Sequence, residues 1–401
     1  MILKKVKEKI HSIYDNYKTD RYMKIVSAKK NNHEKIRVGF IVQMSEIWDK
    51  QIDVYNEMKN NPLFEVFMFV VPKYDITERR VEINYDNNFF IDNYKEAIKF
   101  FDNEKHVINI DSYELDYVFY QRPYDMYLPA ELRSNELMKK IKCCYIPYAF
   151  WPFEDISVGY DKTFFKNIYI SFMDTEENAN YLKNILRLKR NKAVYLGYPV
   201  FDRYMDGDKS GSACLWTPRW ATDLKVGGNN FFKYMYNFIE LRNEYKELPL
   251  ILRPHPLAFQ NFVASGLISA EDMGNYIQSL EEHNIVLDKN ALIDTTFNNT
   301  GILISDISSI MIQFFLTGKP IIYCPTESEI CMTYKKMMPG IYIAENWDDV
   351  LKYIREINNG NDYLLEVRKK IIDDLFGNVE NASKRIVDYI IDDWRTNEGR
   401  K

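Results

Sequence analysis

The sequence lacks the short motifs that mark the commonest nucleotide-binding and hydrolytic enzymes. It contains no G-x-G-x-x-G after its first predicted strand, no G-x-x-x-x-G-K-[ST], no H-E-x-x-H and no G-x-S-x-G. These patterns supply, respectively, a dinucleotide-binding turn, a phosphate-binding loop, a zinc site and a nucleophile elbow. Their absence argues against a dehydrogenase, a P-loop NTPase, a zinc protease and an α/β-hydrolase.

Cysteine and long apolar runs are also scarce. The five cysteines have no metal-like spacing, which predicts buried thiols in a reducing compartment and no dedicated metal site. No apolar stretch reaches the roughly 18 residues that a membrane-spanning helix requires, and the N-terminus shows no signal-peptide pattern. A formal net charge of -5 without a basic stripe excludes nucleic acid as a partner. We therefore expect a cytoplasmic protein.

Apolar, strand-like runs alternate with helical patterns along the chain, which predicts an α/β fold with parallel sheets. A polar, glycine-rich segment at 204–212 separates two such series, so we expect two doubly wound domains that face each other. The predicted divisions are a basic helical lead at 1–32, a first domain at 33–205, a second domain at 206–378, and a C-terminal helix and tail at 379–401 that packs back across the junction.

The lead carries apolar residues at helical spacing with Lys4, Lys5, Lys7 and Lys9 between them. A basic amphipathic helix can lie on an anionic membrane surface. The alternative is a solvated helix that packs on the first domain. Both interpretations stay open, and the first predicts peripheral membrane contact.

Two polar stretches in the second domain each follow an apolar run. The first is Arg253-Pro254-His255-Pro256, after the predicted strand at 248–252. The prolines make this loop stiff, which suits a guanidinium and an imidazole held at a ligand. The alternative is a rigid strand exit whose histidine caps a carbonyl group.

The second stretch is Ser305-Asp306-Ile307-Ser308-Ser309, between an apolar strand and an apolar helix. Ligands of open α/β sheets bind beyond the carboxyl ends of the strands, and helix N-termini attract anions. Ser308 and Ser309 therefore predict a phosphate site, a role that can coexist with helix capping. We expect a structural role for Asp306. Together the two stretches predict a transferase that uses a nucleotide diphosphate.

Further candidates follow other predicted strands. Thr217 and Arg219 would reach a phosphate, or their segment would form an aromatic contact between domains. The first domain presents polar and aromatic groups that suit a hydroxylated acceptor: Gln121, Tyr124, Tyr148 and Trp151. Glu154 and Asp155 are the nearest candidates for a general base in that domain.

Four motifs together resemble the CDP-glycerol glycerophosphotransferases of teichoic-acid and capsule synthesis. They are Leu196-Gly197-Tyr198-Pro199 with Asp202, Trp216-Thr217-Pro218-Arg219, Arg253-Pro254-His255-Pro256, and Ile304-Ser305-Asp306-Ile307-Ser308-Ser309 with Lys319-Pro320. The resemblance covers residues 140 to 345. It implies the GT-B fold, with an N-terminal Rossmann-like acceptor domain and a C-terminal nucleotide-donor domain. It also implies that His255, Ser308 and Ser309 hold the donor's phosphates, with Arg253 beside them.

The same resemblance implies a function. A glycerol-phosphate or ribitol-phosphate unit would move from a CDP-linked donor to a hydroxyl of a sugar or polyol acceptor in a teichoic-acid-like or capsular polymer, releasing CMP. The implied partners are CDP-glycerol or a related cytidine nucleotide and a lipid-linked or oligosaccharide acceptor at the inner face of the cell membrane. His255 and Arg253 would neutralise the developing charge. No cofactor is implied, and the use of a divalent ion stays open.

The chain departs from the family's pattern in two places. Many members carry a Trp-His-Gly motif whose histidine is proposed as the base, whereas the corresponding residues 146–151 contain no histidine, and Gln313 replaces a common acidic residue. Two alternatives therefore stay open. One is a GT-B glycosyltransferase with a nucleotide-linked sugar donor and Glu154 or Asp155 as base. The other is a non-enzymatic protein that only binds nucleotide or acceptor.

Overall fold

The computed structural model describes residues 2–29, 33–75, 80–155, 160–186, 191–205, 210–223, 228–377 and 380–398. The chain forms two units. Unit 1 comprises Met1–Ala149, Ile156–Asp202 and Asn381–Lys401, and unit 2 comprises Phe150–Asp155 and Arg203–Glu380.

The described strands, in chain order, are β1 Ile36–Val42, β2 Phe64–Val70, β3 Tyr74–Asp75, β4 Arg80–Val81, β5 Ala97–Lys99, β6 Tyr117–Tyr120, β7 Lys142–Tyr145, β8 Ile170–Met173, β9 Lys192–Tyr195, β10 Ala213–Thr217, β11 Leu250–Leu252, β12 Ile285–Leu287, β13 Thr300–Ser305, β14 Ile321–Tyr323 and β15 Tyr342–Ile343.

The described α-helices are α1 Ile2–Ala28, α2 Ile52–Asn60, α3 Phe89–Asn93, α4 Ser134–Leu137, α5 Lys162–Asn167, α6 Glu176–Leu186, α7 Pro199–Met205, α8 Phe231–Glu244, α9 Ala258–Ala264, α10 Ala270–Glu282, α11 Asp294–Asn299, α12 Ser309–Phe315, α13 Met332–Met337, α14 Trp347–Asn358, α15 Leu365–Phe376 and α16 Ala382–Glu398.

Unit 1 is built on a seven-stranded sheet in the order β5-β2-β1-β6-β7-β8-β9, and its strand pairs are parallel. The central strands are apolar and buried along nearly their whole length, as parallel strands covered on both faces must be. The carboxyl ends of β1, β6 and β7 therefore lie side by side. The residues that follow them, 43–44, 121–124 and 146–148, form one edge of the unit.

Unit 2 is built on a six-stranded parallel sheet in the order β12-β11-β10-β13-β14-β15. Trp216 in β10 is in register with Leu252 in β11, and Thr217 is in register with Ser305 in β13. The chain reverses strand order on either side of β10, so the loops after β10, β11 and β13 meet at the carboxyl edge. That position is the topological switch point at which open α/β sheets bind ligands.

The C-terminal helix α16 belongs to unit 1, where its buried Asp393 anchors it. The Asp393 carboxylate accepts hydrogen bonds from Lys142 Nζ at 2.8 Å and from the Tyr117 hydroxyl at 2.6 Å, and it also pairs with Lys192. Burial opposes ionisation, but the lysine charges outweigh it and hold the Asp393 pKa below its usual range. These contacts lie at the amino ends of β6, β7 and β9, opposite the edge described above.

The run His106-Val107-Ile108-Asn109-Ile110 has the apolar pattern of a strand, but it forms only an isolated bridge at Val107 and the start of a short 3-10 helix. The sheet strand in this region is β5, because residues 102–105 form a polar turn that directs the chain away from β2. Part of the predicted linker, residues 206–209, lies outside the described residues.

Candidate functional site

A buried carboxylate organises the carboxyl edge of unit 2. Asp306 is 0% exposed, and it accepts hydrogen bonds from the backbone N–H of Arg219 at 2.9 Å and from both the backbone and side-chain nitrogens of Asn230, at 3.0 and 2.8 Å. Burial raises the pKa of this carboxyl, and the three N–H donors and the nearby guanidinium oppose that rise. Asp306 therefore ties the loops after β10 and β13 together, which is the structural role expected for it.

A chain of hydroxyl groups crosses the same edge. The Thr217 hydroxyl donates to Ser305 Oγ at 2.8 Å, Ser305 donates to the Asp306 carbonyl at 2.7 Å, and Ser308 Oγ lies 3.3 Å from Ser305 Oγ. Thr217 is only 3% exposed. Its side chain thus supports Ser305 inside the unit, because its hydroxyl is turned toward the neighbouring strand. The expected contact of Thr217 with phosphate stays a prediction.

Ser308 occupies the N-cap position of α12, yet its side chain makes no capping hydrogen bond. Its backbone is extended, and its carbonyl accepts the Tyr334 hydroxyl at 2.7 Å, which holds the residue in place. Ser308 and Ser309 are both partly exposed, whereas Ser305 and Asp306 are buried. The serine pair therefore presents its polar groups at the surface of a rigid turn.

Arg253 and the residues after β12 form a second polar cluster. The Arg253 guanidinium donates to Asp288 Oδ2 at 2.6 Å and to the Asn290 carbonyl at 2.9 Å. Asp288 also accepts the Thr296 hydroxyl. Burial opposes ionisation of Asp288, but these donors outweigh it and lower its pKa. Two N–H groups of Arg253 are thus bonded to the loop after β12. The ion pair between Arg253 and Asp288 fixes the loop that carries His255.

His255 follows the Arg253 loop, and its ring stacks on Trp220 with centroids 5.1 Å apart. Its Nδ1 accepts the backbone N–H of Leu257 at 3.2 Å, which requires the neutral tautomer with the proton on Nε2. Neighbouring atoms shield the ring and lower its pKa to about 4, although the residue as a whole is exposed. The hydrogen bond to Nδ1 favours the same neutral form. His255 thus offers an Nε2–H donor.

Arg219 is joined to the loop that carries the serine pair, because its backbone N–H bonds Asp306 in that loop. Its guanidinium donates to Ser328 Oγ at 3.1 Å and lies over the Phe153 ring, 4.6 Å from the centroid. Burial lowers its pKa, and the Asp306 charge opposes that change. The residue is still partly exposed, so its cation borders the edge where the sequence predicts phosphate.

Trp151, Glu154 and Asp155, which the sequence places in the first domain, belong to unit 2 in the structure. Phe153 forms a bridge with Ile330, the Glu154 N–H donates to the Glu329 carbonyl at 3.2 Å, and the Cys331 N–H donates to the Pro152 carbonyl at 2.8 Å. These backbone bonds add the segment to unit 2 like a short strand. The expectation that these residues belong to the first domain was wrong, because sequence order does not reveal a long-range bridge.

The candidate bases have defined surroundings in unit 2. The exposed Glu154 carboxylate accepts a hydrogen bond from Lys335 Nζ at 3.2 Å. The Asp155 backbone carbonyl accepts the Trp151 indole N–H at 2.8 Å, which orders the end of the segment. A general-base role for either carboxylate stays a prediction.

In unit 1, the buried side chain of Gln121 joins the loop after β6 to the loop after β1 at the carboxyl edge of the sheet. Its Oε1 accepts the N–H groups of Gln43 and Met44, both at 2.8 Å, and its Nε2 donates to the Met44 carbonyl at 2.6 Å. The residue is 4% exposed. These bonds satisfy the amide and pin the loop after β1, so an acceptor contact of Gln121 stays a prediction that its burial does not favour.

Tyr124 and Tyr148 face each other across the same edge, with their hydroxyl oxygens 2.9 Å apart. Burial raises the Tyr148 pKa, and the neighbouring Tyr124 adds to the effect. Tyr148 lies in the segment where the family's pattern has a histidine, but at neutral pH its hydroxyl is protonated. It therefore acts as a hydrogen-bond donor or acceptor there.

Sequence reasoning missed three residues that hold the unit 2 edge. Asn230 and Tyr334 bond Asp306 and the Ser308 carbonyl, and Asp288 pairs with Arg253. Asn230 immediately precedes α8 and Asp288 immediately follows β12, so the ends of elements are the available signal. Tyr334 is buried within α13 and carries no such signal.

Residues 170–392 match the family described as CDP-Glycerol:Poly(glycerophosphate) glycerophosphotransferase. This match spans more than half of the chain. The chain belongs to this family. The glycerophosphotransferase match includes Arg219, His255 and the serine pair, whereas Tyr124, Tyr148 and the segment 150–155 lie outside it.

A curated relative and solved structures are similar to this glycerophosphotransferase-family chain. The minor teichoic acid biosynthesis protein GgaB of Bacillus subtilis (strain 168) is 23% identical over 231 residues, which are 54% of this chain and 25% of that protein. The chain thus matches only a quarter of the relative's length.

The wall teichoic acid polymerase TagF is similar in structure, with a TM-score of 0.57, 14% identity and 98% of each chain covered. The UDP-GlcNAc 2-epimerase of Neisseria meningitidis, solved with UDP-GlcNAc, has a TM-score of 0.58 and 12% identity, covering 89% of this chain and 100% of that one. These likenesses show the fold: the chain has the expected GT-B architecture of two parallel α/β units.

Two structural features are absent from the described ranges. Among these residues, no helix is long and apolar enough to cross a membrane. In the same part of the chain, no three His, Cys, Asp or Glu side chains are grouped so that they could hold a metal ion.

Proposed function

We propose that the protein transfers a polyol-phosphate unit, glycerol phosphate or ribitol phosphate, from a CDP-linked donor to a hydroxyl of a sugar or polyol acceptor. The observation that carries this proposal is the coincidence of the family match with the carboxyl edge of unit 2. There a neutral imidazole, a guanidinium and two surface serines border one rigid turn. This set offers hydrogen-bond donors and positive charge, and the Asp306 carboxylate between its loops is buried and hydrogen-bonded within the unit.

In this proposal the acceptor oxygen attacks the β-phosphorus of the donor. A new oxygen–phosphorus bond forms, and the bond between that phosphorus and the oxygen that bridges to CMP breaks. CMP leaves with the electron pair, and the acceptor proton passes to a base. Phosphoryl transfer needs mainly positioning and charge stabilisation from the protein. No cofactor beyond the donor enters the scheme.

The donor-side residues take distinct roles. His255 donates its Nε2–H to a phosphate oxygen, and Ser308 and Ser309 donate hydroxyl or N–H groups to the diphosphate of the bound donor, whose α-phosphate leaves with CMP. Arg219 supplies positive charge beside them, since its partly exposed guanidinium borders Ser328 on the same edge. Arg253 acts mainly as a positioning residue through its ion pair with Asp288. Glu154 and Asp155 are the candidates for the base, and Glu154 would have to leave Lys335 to accept a proton.

The test is a transfer assay with purified protein, CDP-glycerol and CDP-ribitol, and a hydroxylated acceptor. We expect acceptor-dependent CMP release together with a new phosphodiester in the product. A new glycosidic bond from a nucleotide-sugar donor would instead establish a glycosyltransferase. A protein that binds CDP-glycerol but releases no CMP with any acceptor would be a binding protein only.

His255→Ala should lower kcat by about 10²–10³, the usual cost of one donor to the transition-state charge. His283→Ala is the matched control, since His283 contacts the Ser279 carbonyl at the end of α10. Both variants should unfold at the temperature of the unmodified protein. An unchanged kcat of His255→Ala at saturating donor would show that His255 is not part of the catalytic site.

We also propose that α1 brings the protein to the inner face of the cell membrane. Tyr14, Tyr17 and Ile25 are exposed and share one face of this helix by their spacing, and the lysines of the lead belong to the same helix. Binding to anionic vesicles should weaken in a Tyr14→Ser, Tyr17→Ser variant and at high salt. Equal cosedimentation of variant and unmodified protein would contradict this assignment.

A further inference from the structure

Arg122 stands apart from the other charged groups of unit 1. It follows β6 at the carboxyl edge of the sheet and lines a surface depression together with Ile41, Gln43, Tyr124 and Leu128. The depression thus combines apolar walls with a single cation. Its position corresponds to the ligand-binding edge of an open α/β sheet.

The charge of Arg122 has no ionic partner among the described residues. Its guanidinium donates to the Gln43 side-chain oxygen and lies over the Tyr127 ring, 4.8 Å from the centroid. Glu46 is the carboxylate that acts on it electrostatically, but among the described residues Arg122 forms no salt bridge. A partly buried cation that lacks a counterion loses hydration without full compensation.

The surroundings hold this cation rigidly. Gln43 is itself fixed, since its Nε2 donates to the Pro72 carbonyl at 2.7 Å and to the Tyr127 carbonyl at 3.1 Å. Gln121 pins the backbone of the same loop. Burial lowers the Arg122 pKa, and the nearby tyrosines oppose this change. The guanidinium is therefore preorganised, with N–H groups beyond the one that bonds Gln43.

We propose that Arg122 and the neighbouring hydroxyls of Tyr124 and Tyr148 bind a phosphate group of the acceptor, so that unit 1 selects acceptors that already carry a phosphate ester. A guanidinium fork pairs with phosphate oxygens through parallel charge-assisted hydrogen bonds. The two tyrosine hydroxyls near it are hydrogen-bonded to each other at 2.9 Å, so one of them donates to the other and the second keeps its proton for the phosphate. This inference rests on the proposed function for the identity of the acceptor, but the anion site itself is measured without catalysis.

The binding experiment uses the full chain saturated with CMP, which occupies the donor site. Inorganic phosphate, glycerol 3-phosphate and glycerol are titrated, and thermal unfolding and calorimetry report binding. We expect both phosphates to stabilise the protein and glycerol to have no effect. In Arg122→Gln the dissociation constant should rise about 10- to 100-fold, as expected for losing a hydrogen bond to a charged group. Tighter binding of glycerol 3-phosphate than of phosphate would identify the ester, and equal affinity would assign the site to free phosphate and overturn the acceptor role.

Arg37→Gln is the matched control, because Arg37 lies in the same sheet but pairs with Glu65 at 2.9 Å and Glu114 at 3.1 Å. This variant should bind both phosphates normally. Without ligand, Arg122→Gln should unfold at an equal or higher temperature, since it removes an uncompensated charge. If it unfolds earlier, Arg122→Lys keeps the charge without the fork and should bind phosphate with intermediate affinity. Phosphate affinity that is equal in all these proteins would overturn the proposal.

Kinetics separate this proposal from the proposed function. Arg122→Gln should raise the KM for a phosphate-bearing acceptor about 10-fold or more and leave the KM for CDP-glycerol unchanged. An unchanged acceptor KM in an active enzyme would refute the role of Arg122 while the transfer activity stands. If no variant or unmodified protein transfers glycerol phosphate, the proposed function fails, and the calorimetric result still decides whether Arg122 binds an anion.

Discussion

The carboxyl edges of the two units hold their loops in place with different kinds of side chain. In unit 2, buried carboxylates hold the loops: Asp306 binds three N–H groups and Asp288 pairs with Arg253. In unit 1, the neutral amide of Gln121 holds the loops, and Arg122 is left without a carboxylate partner. The buried carboxylates of unit 2 are thus neutralised within their loops, whereas Arg122 in unit 1 forms no salt bridge among the described residues.

The largest expected effect comes from removing the carboxylate at the unit 2 edge. Asp306→Ala leaves the N–H groups of Arg219 and Asn230 unsatisfied inside the protein and removes a charge beside a partly buried guanidinium. We expect a loss of about 3–5 kcal/mol in the free energy of unfolding, the range for breaking one side of a buried charged pair. Urea denaturation measures it.

Asp272→Ala serves as the control, since the exposed Asp272 accepts only the Ser269 hydroxyl near the start of α10. It should cost less than about 1 kcal/mol. If Asp306→Ala is as mild as the control, the view that a buried carboxylate organises this edge is wrong.

The equivalent change in unit 1 should be smaller. Gln121→Ala leaves the N–H groups of Gln43 and Met44 and the Met44 carbonyl without their side-chain partner. Because these groups are neutral and lie near the surface loop, we expect a loss of about 1–3 kcal/mol in the free energy of unfolding. Urea denaturation again reports the change. If the free energy of unfolding falls as much as in Asp306→Ala, or more, the two edges do not differ energetically in the expected way.

The smallest effect is a pH dependence that contrasts two carboxylates at α16. Burial raises the pKa of Asp202 to about 6, and the backbone N–H groups that its carboxylate accepts at the start of the helix only partly oppose that rise. The folded protein therefore binds this proton more tightly than the unfolded chain does, so its contribution to stability is present at low pH and is lost as the pH rises toward about 6. Asp393, with its lowered pKa, contributes in the opposite sense and loses stability as the pH falls.

Denaturation of the unmodified protein, Asp202→Asn and Asp393→Asn between about pH 2 and pH 8 tests the contrast, because the Asp393 contribution is lost mainly below the ordinary carboxyl pKa. Asp202→Asn should become relatively more stable than the unmodified protein as the pH rises, and Asp393→Asn should become relatively less stable. Parallel stability curves for all three proteins would show that neither carboxylate has a shifted pKa.

Sequence reasoning succeeded where a property is local. The alternation of apolar runs and helical patterns predicted the parallel strands of both units, and the polar residues after β11 and β13 lie at the strand ends where the sequence placed them. It failed for the segment 150–155, because the bridge between Phe153 and Ile330 joins residues far apart in sequence. It also could not show that the polar groups of Thr217 and Gln121 bond other residues of the same unit, since burial depends on what packs around a side chain.

The sequence by itself determined the fold class, the strand ends at which the polar residues lie, and the family motifs, because strand periodicity and motif spacing are properties of neighbouring residues. Only the tertiary structure decided the protonation of His255, the pairing of Arg253 with Asp288 and the unpaired state of Arg122 among the described carboxylates. The Arg253 ion pair and the surroundings of Arg122 depend on distances to partners on other strands or loops, and the His255 tautomer depends on how its own loop folds to bring the Leu257 N–H to Nδ1. Electrostatic energies vary steeply with that distance and with exclusion of water, and neither quantity is written in the order of the residues.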